Sequence, residues 1–157
     1  MKKNFLIFTP IKNTWPKKFL NNLLFASESA ILKNDGNQNR YASTYICPFK
    51  WKNKKILNKD FIKLNLIFEN FLNIFAIRLN KIHNTNYSQR TWRLILGPWL
   101  SNFIHIYFER YSNIKNIFLK KKIDRCIFLH FNNNLPVAYD PKEFRDSIQD
   151  DYWNQYI

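Results

Sequence analysis

The chain has 157 residues, which is enough for one domain with a buried core. Its 46% hydrophobic and 18% aromatic content excludes a disordered protein, and its net charge of +14 at neutral pH points to anionic partners in general. We give that charge little weight as a sign of nucleic-acid binding. The chain is also rich in asparagine, which indicates a general bias of composition and not a surface selected for binding.

Several classes of site are excluded by residues that the chain lacks. Two cysteines, Cys47 and Cys126, cannot build a disulfide framework or a zinc site of usual spacing, which favours a reduced, cytoplasmic chain. The only glycines are Gly36 and Gly97, so there is no glycine-rich loop for a dinucleotide or a phosphate. No cofactor or metal site is identifiable, and no stretch reaches the roughly 20 apolar residues of a membrane-spanning helix.

The first third of the chain predicts a short buried strand and little regular structure after it. The strand is expected at Asn4–Phe8, where four apolar residues follow one another. Residues 9–22 are predicted to form a turn and a short helix that carries Trp15. The following polar residues predict irregular structure, with a turn at 34–37 and an extended segment at Cys47–Trp51.

The middle of the chain predicts two long helices. From about Ile56 to Ile82, apolar residues recur every three or four positions, and a second apolar set widens the stripe. Ser88 is suited to cap a second helix that runs from Gln89 to about Ser112. Proline inside a helix costs roughly 3 kcal/mol and glycine about 1 kcal/mol, so we expect a kink or short break at Gly97-Pro98.

The last third predicts shorter elements. A basic linker at Lys120–Lys122 is followed by a strand near Cys126–Phe131, and then by a loop at Asn132–Asn134. A helix is expected from Asp140, its cap, to about Ile148. A further helix begins at Asp150 or Asp151 and is cut short where the sequence stops, which favours a truncated domain.

Arginine replaces lysine around the start of the second helix, and this is the predicted site region. No lysine lies between Ile82 and Ile114, whereas three of the seven arginines do. Arg90 and Arg93 share a helix face and suit a phosphate or sugar-acid group, with pairing to Glu109 or another internal carboxylate as an equal alternative. His83 is the candidate catalytic base, and hydrogen bonding to loop carbonyls is its structural alternative.

Three further residues of this region are candidates for substrate binding. Trp92 and Trp99 suit stacking on a sugar or a base, although their helical spacing favours core packing. Gly97 is the third candidate, because a break at Gly97-Pro98 would free backbone N–H groups that suit an anion, although the primary role of the two residues is structural.

Residues in consistent order over nearly the whole chain carry a resemblance to a known family. They are Thr9 with Trp15, Leu79–His83, Ser88, Arg90, Trp92-Arg93, Leu96–Leu100, Asn102-Phe103, Glu109–Tyr111 and Asp151 with Trp153-Asn154. In these the chain resembles the amino-terminal part of a transferase family encoded in bacterial lipopolysaccharide and surface-polysaccharide gene clusters. The resemblance implies a helix-rich α/β fold, the incomplete Rossmann-like amino-terminal half of a two-domain, GT-B-like glycosyltransferase.

The resemblance also sets the expected extent and partners of the protein. Relatives look several times longer, so residues 1–157 are expected to form a single partial amino-terminal domain, truncated at its carboxy-terminal end. A nucleotide-sugar donor is implied for the full-length family, and a nucleotide sugar or a glycan acceptor is the expected partner. The expected location is cytoplasmic, with peripheral contact to the inner membrane.

One segment departs from the family pattern. Where relatives tend to have Tyr-His-Trp followed by acidic residues and arginine, this chain has Phe49–Lys54, which contains three lysines and no histidine or carboxylate. We therefore expect residues 1–157 alone to have no transferase activity. The alternative function is a small basic, non-enzymatic protein that binds nucleic acid or an anionic membrane surface, although its lysines are dispersed and no known docking motif is present.

Overall fold

The computed structural model describes residues 3–16, 22–31, 45–130 and 138–155. The chain forms two compact units. The sheet unit comprises Met1–Phe49 together with Tyr111–Ile157, and the helical unit comprises Lys50–Arg110.

The sheet unit is built on four parallel strands. They are β1 (Asn4–Ile7), β2 (Asn22–Phe25), β3 (Tyr45–Ile46) and β4 (Arg125–Cys126), in the spatial order β3-β2-β1-β4. Asn4 lies beside Asn22 and Ile7 beside Phe25, while Phe5 lies beside Arg125 of the other neighbouring strand. Strands of a parallel sheet are covered on both faces, which explains why β1 and β2 are continuous apolar runs without alternation.

Alternate residues of the two central strands pack into two separate clusters, so both faces of the sheet are buried. One face holds a cluster with Ala30, and its strand members are Phe5, Ile7, Leu23 and Phe25. The other face holds Leu6 and Leu24 together with Cys47 and Ile117. This layering of helix on a parallel sheet confirms the predicted α/β, helix-rich class.

Two long helices form most of the helical unit. Helix α1 runs from Lys54 to His83, and α2 runs from Gln89 to Lys120, so its last turns belong to the sheet unit. The Asn53 side chain caps α1 by accepting hydrogen bonds from two backbone N–H groups of its first turn. Asn84, at a φ of 49°, ends α1 in the left-handed conformation. The buried core residues are Leu64, Leu72, Ala76, Trp92, Leu100 and Ile104.

Several predicted elements are confirmed. The strand at Asn4–Phe8 is β1, and the helix predicted over Ile56–Ile82 is α1. The helix predicted after Asp140 is α3 (Pro141–Ser147), where the Asp140 carboxylate accepts a hydrogen bond from the Glu143 N–H at 2.7 Å.

Of the kink or short break predicted at Gly97-Pro98, the break is wrong, because α2 continues through both residues as one helix. Proline has no N–H, so the Leu94 carbonyl one turn earlier loses its helical partner. The side chains of Leu94 and Pro98 are both exposed, so this carbonyl lies on the solvent side of the helix, where water can bond to it. Exposure of the proline is thus what allows the helix to continue.

Other predicted boundaries differ from the structure or cannot be compared with it. Strands β2 and β3 were not predicted, and the strand predicted at Cys126–Phe131 is the two-residue β4. The linker predicted at Lys120–Lys122 begins inside α2. Short 3-10 turns replace the extended segment at 50–52 and the terminal helix at 153–155. The turn at 34–37 and the loop at 132–134 lie outside the described residues, as does most of the helix expected after Trp15.

Candidate functional site

The order of the strands marks one edge of the sheet as a place for a ligand. From β1 the chain adds β2 and β3 on one side, and β4 returns on the other side of β1. Because all four strands are parallel, the segments after β1 and β4 leave the same, carboxyl edge next to each other. Open α/β sheets bind ligands in the crevice outside this edge, at the strand pair where the order reverses. We call this place the carboxyl edge.

Two short segments border the reversal point at the carboxyl edge. Residues 8–10 follow β1, and residues 127–130 follow β4. The Phe8 and Phe128 rings are stacked, with their centroids 5.3 Å apart. Phe128 is 58% exposed, so part of its ring is open to a ligand, and His130, at the end of the same segment, is exposed too. An aromatic face and a titratable side chain therefore lie on one loop.

Thr9 is held in place by one side chain close to it in the sequence and by one from the far end of the sheet unit. Its carbonyl accepts a hydrogen bond from Trp15 Nε1 at 3.1 Å, and its hydroxyl accepts one from Gln155 Nε2 at 2.7 Å. Thr9 is buried, and so is the other amide atom of Gln155, Oε1, which has no hydrogen-bond partner within the described part of the chain. A buried acceptor without a donor costs about 1–3 kcal/mol, so a ligand hydroxyl beside Thr9 would be stabilised there.

Further polar groups follow the neighbouring strand β2 or precede Gln155 in the chain. Ser27 and Ser29 follow β2, and their hydroxyls are hydrogen-bonded to each other at 2.6 Å. Four residues before Gln155, burial and then the charge of Asp150 raise the pKa of Asp151 above the usual carboxyl value. Hydroxyls and a carboxyl that protonates easily are groups that suit a polyhydroxyl substrate.

The site residues predicted from the sequence lie in the helical unit, around the connection between α1 and α2. We call residues 80–93 the hairpin elbow. Asn80 organises it, because its Oδ1 accepts hydrogen bonds from Trp92 Nε1 at 2.9 Å and from the Thr85 hydroxyl and the Tyr87 N–H at 3.0 Å each. Its Nδ2 donates to the Tyr87 carbonyl at 2.9 Å. The five-residue connection, residues 84–88, is therefore fixed by one side chain.

The predicted aromatic and histidine residues have different environments. Trp92 is buried in the helical core, and the ring of exposed His83 lies against it with centroids 6.3 Å apart. Trp99 is half-buried and packs against Phe103 at 5.1 Å. At Gly97 an added Cβ would meet the nearest side-chain atoms at 3.6 and 3.8 Å, which is ordinary contact. The structure thus brings together His83 and Trp92, and places Gly97 and Trp99 further along α2.

The two predicted arginines also differ. Arg93 donates two hydrogen bonds to the Glu69 carboxylate, at 2.6 and 2.5 Å. Hydrogen bonding between the two side chains raises the pKa of Arg93 and lowers the pKa of Glu69. In both residues this effect is larger than the opposing effect of burial. This is the internal pairing that was the alternative to ligand binding, with Glu69 in place of Glu109. Arg90 is exposed and has no hydrogen bond or ion pair to any residue that the structure describes.

A buried carboxylate in the helical unit was missed by the sequence reasoning. Asp60 accepts hydrogen bonds from Trp51 Nε1 at 3.0 Å and from Lys50 Nζ at 2.8 Å. Burial alone would raise its pKa, but these bonds and the charges of Lys50 and Lys63 together lower it. Both ammonium groups also lie 5.3 Å from the centroid of the Phe108 ring. The sequence did contain a sign of this site, because Asp60 lies four residues before Leu64 and so occupies a position on the apolar side of the helix.

The residues of the carboxyl edge were not predicted as a site either, although some of them belong to the residues that carry the family resemblance. Thr9, Trp15 and Asp151 belong to the resemblance, whereas Phe128 and His130 were noted only as part of a strand and its end. Among the described residues, no three His, Cys, Asp or Glu side chains are grouped so that they could hold a metal ion. The helices described are also too short or too polar to cross a membrane.

Comparison with known protein families identifies the family of this chain. A family model described as LIC12162 family transferase matches residues 4–157, nearly the whole chain. No curated protein and no solved structure matches.

Proposed function

The chain belongs to the LIC12162 family of transferases, and we propose that the group it helps to transfer is a glycosyl group. The product in this proposal is a bacterial surface polysaccharide or lipopolysaccharide, made in the cytoplasm. Residues 1–157 then form the Rossmann-like, amino-terminal half of a GT-B-like enzyme. The alternative of a basic, non-enzymatic binding protein is not favoured by membership of a transferase family.

The observation that carries the proposal is the reversal of strand order between β1 and β4 at the carboxyl edge. This is where an open α/β sheet binds its ligand. The segments that border the reversal supply an exposed aromatic ring and a histidine, and Gln155 supplies a buried acceptor without a donor. Aromatic rings and amide acceptors are groups that fit a sugar, whose faces are apolar and whose edges carry hydroxyls.

The glycan acceptor is the substrate we assign to this edge. Its sugar ring lies on the exposed part of Phe128, and one hydroxyl donates a hydrogen bond to Gln155 Oε1. His130 accepts the proton of the attacking hydroxyl, because a histidine side chain can act as a general base. Thr9 is a positioning residue in this scheme, because it holds the Gln155 amide by its other end.

The nucleotide-sugar donor is assigned to residues outside 1–157. The segment after β1, residues 8–16, contains no glycine, so it lacks the tight turn that lets a backbone approach a pyrophosphate. Holding both substrates in register supplies about 7–11 kcal/mol of barrier reduction in favourable cases. With one substrate site, residues 1–157 alone are therefore proposed to have no turnover. Sequencing the flanking DNA tests this part, since a continuing reading frame must encode the donor site.

The acceptor assignment is tested by steady-state kinetics on the natural polypeptide that contains this chain. Release of nucleoside phosphate is measured with a panel of sugar nucleotides and a lipopolysaccharide extract as acceptor. For Phe128→Ala we expect the acceptor KM to rise about tenfold with little change in the donor KM, because one stacking contact is lost. Phe118→Ala is the matched control, since Phe118 is 60% exposed on α2. Equal effects of the two variants would refute the assignment.

The hairpin elbow is the second location we keep as a proposal. His83 and Arg90 are both exposed there, and Arg90 is not engaged by any described side chain, whereas Arg93 is held by Glu69. In this version His83 is the base and Arg90 binds an anionic group of the substrate. Trp92, buried against Asn80, orients His83 by ring contact and does not itself face the substrate.

A further inference from the structure

One side of α1 that faces solvent is both apolar and basic. In steps of three and four residues, it carries eight exposed side chains: Lys55, Lys59, Ile62, Leu66, Asn70, Asn73, Ile77 and Lys81. We call these eight residues the outer stripe. Its three aliphatic members, Ile62, Leu66 and Ile77, are 64%, 63% and 65% exposed. They lie between the lysines at the two ends of the stripe, and Asn70 and Asn73 separate Leu66 from Ile77.

No acidic residue belongs to the outer stripe, and the two acids of α1 are occupied elsewhere. Asp60 is buried and paired with Lys50, and Glu69 is paired with Arg93. The lysines of the stripe are therefore not neutralised by a carboxylate on their own helix. A surface of this kind attracts a partner that is anionic at its boundary and apolar just beneath it.

We propose that the outer stripe binds an anionic lipid bilayer, with α1 lying in the plane of the interface. The three aliphatic side chains enter the boundary between headgroups and acyl chains, while the lysine ammonium groups reach up to the lipid phosphates. Each lysine near an anionic surface strengthens binding about fivefold, and the aliphatic side chains add a part that salt does not screen. This inference does not depend on glycosyl transfer as the reaction.

Other occupants fit the stripe less well. Nucleic acid neutralises lysines but offers no apolar layer for three aliphatic side chains at its phosphate surface. A second copy of the chain, related by two-fold symmetry, would bring lysines of one stripe against those of the other. An acidic protein could match the charge, and it is distinguished from lipid by the experiment, because vesicles contain no protein.

The test is co-sedimentation of the purified protein with vesicles of two compositions, pure phosphatidylcholine and phosphatidylcholine mixed with phosphatidylglycerol. We expect binding to the anionic vesicles only, weakened but not abolished by rising salt. The variant Ile62→Ser, Leu66→Ser, Ile77→Ser is expected to bind at least about tenfold more weakly. The matched control is Leu94→Ser, Ile95→Ser, Leu119→Ser, which removes three exposed aliphatic side chains of α2, and it is expected to bind as the parent does.

Each other outcome overturns the inference. Absence of binding to anionic vesicles excludes a lipid partner, and equal binding to both vesicle types removes the charge argument. If the control variant loses binding as much as the stripe variant, the surface is not the stripe. Sedimentation velocity without lipid is measured in parallel, because a dimer that the stripe variant dissociates would identify a second copy as the occupant. Turnover of the stripe variant in solution reports separately on the proposed function.

Discussion

The indole Nε1 of Trp92 donates a hydrogen bond to Oδ1 of Asn80 at 2.9 Å, and this bond joins α2 to α1 across the hairpin elbow. The same oxygen accepts two further hydrogen bonds from the connection, and the amide nitrogen donates one back. Asn80 and Trp92 both belong to the residues that carry the family resemblance. Their contact gives these residues a structural role that requires no ligand.

Replacing Asn80 is expected to weaken the helical unit strongly. Asn80→Ala removes four side-chain hydrogen bonds and leaves the indole N–H of buried Trp92 without an acceptor. We expect the free energy of unfolding to fall by roughly 2–4 kcal/mol, measured by urea denaturation. Asn73→Ala is the control, because Asn73 is exposed on the same helix, and its effect should stay within about 0.5 kcal/mol. Equal losses in both variants would show that the elbow does not depend on Asn80.

Gly97→Ala is expected to stabilise the protein. Gly97 lies inside α2, and a Cβ there would meet Arg93 Cγ at 3.6 Å and the Phe68 ring at 3.8 Å, without a clash. Alanine is favoured over glycine in a helix by about 1 kcal/mol, so the thermal midpoint should rise. If Gly97 instead serves close approach of a substrate, Gly97→Ala will lower turnover of the full enzyme while leaving stability unchanged or higher. Destabilisation would contradict the geometry at this position.

The Asp60 pairing predicts a particular pH dependence of stability. Because the folded-state pKa of Asp60 is lowered, its carboxylate stabilises the fold fully above the unfolded-state pKa of about 4, and this contribution is lost as pH falls through the folded-state value. The difference in unfolding free energy between the parent and Asp60→Asn should therefore be largest near neutral pH and shrink below about pH 4.

The control for Asp60 is the second carboxylate of α1 that is paired with a cation. Glu69→Gln breaks the pair with Arg93, whose two side chains are nearly half-exposed, so solvent screens the attraction between them. We expect Asp60→Asn to destabilise more than Glu69→Gln at neutral pH, as measured by denaturant unfolding at a series of pH values. A pH-independent effect of Asp60→Asn would show that its partners act by packing and not by charge.

The helices could be predicted from the sequence, and the sheet only in part. Periodic apolar residues fixed α1 because a helix face repeats along neighbouring residues. The strand Asn22–Phe25 was missed, since a short apolar run buried on both faces has no alternation to identify it. The prediction at Pro98 failed because the energetic cost of a proline in a helix depends on whether the carbonyl that loses its N–H partner, here that of Leu94, is exposed to solvent. This exposure is known only once the helix is placed in the folded structure.

The candidate site was harder to predict than the helices. Thr9 and Gln155 are hydrogen-bonded although they lie 146 residues apart, and no local pattern connects them. The reversal of strand order depends on where β4 is inserted, and β4 has only two residues, Arg125 and Cys126. By contrast, the arginine-rich block stood out by composition, and in the structure Arg93 of that block pairs with Glu69. An unusual local composition can therefore mark a structural contact, such as the Arg93–Glu69 pair, and not only a ligand-binding site.

The most direct test of the central claim compares two matched substitutions in the full enzyme, His130→Gln at the carboxyl edge and His83→Gln at the hairpin elbow. Both histidines are exposed, so neither change is expected to disturb folding. The measured quantity is the rate of glycosyl transfer at saturating donor and acceptor. We expect His130→Gln to lower this rate about 100-fold, as loss of a general base does, and His83→Gln to change it less than about threefold. A large loss in His83→Gln with His130→Gln unchanged would contradict the account and place the catalytic base at the hairpin elbow.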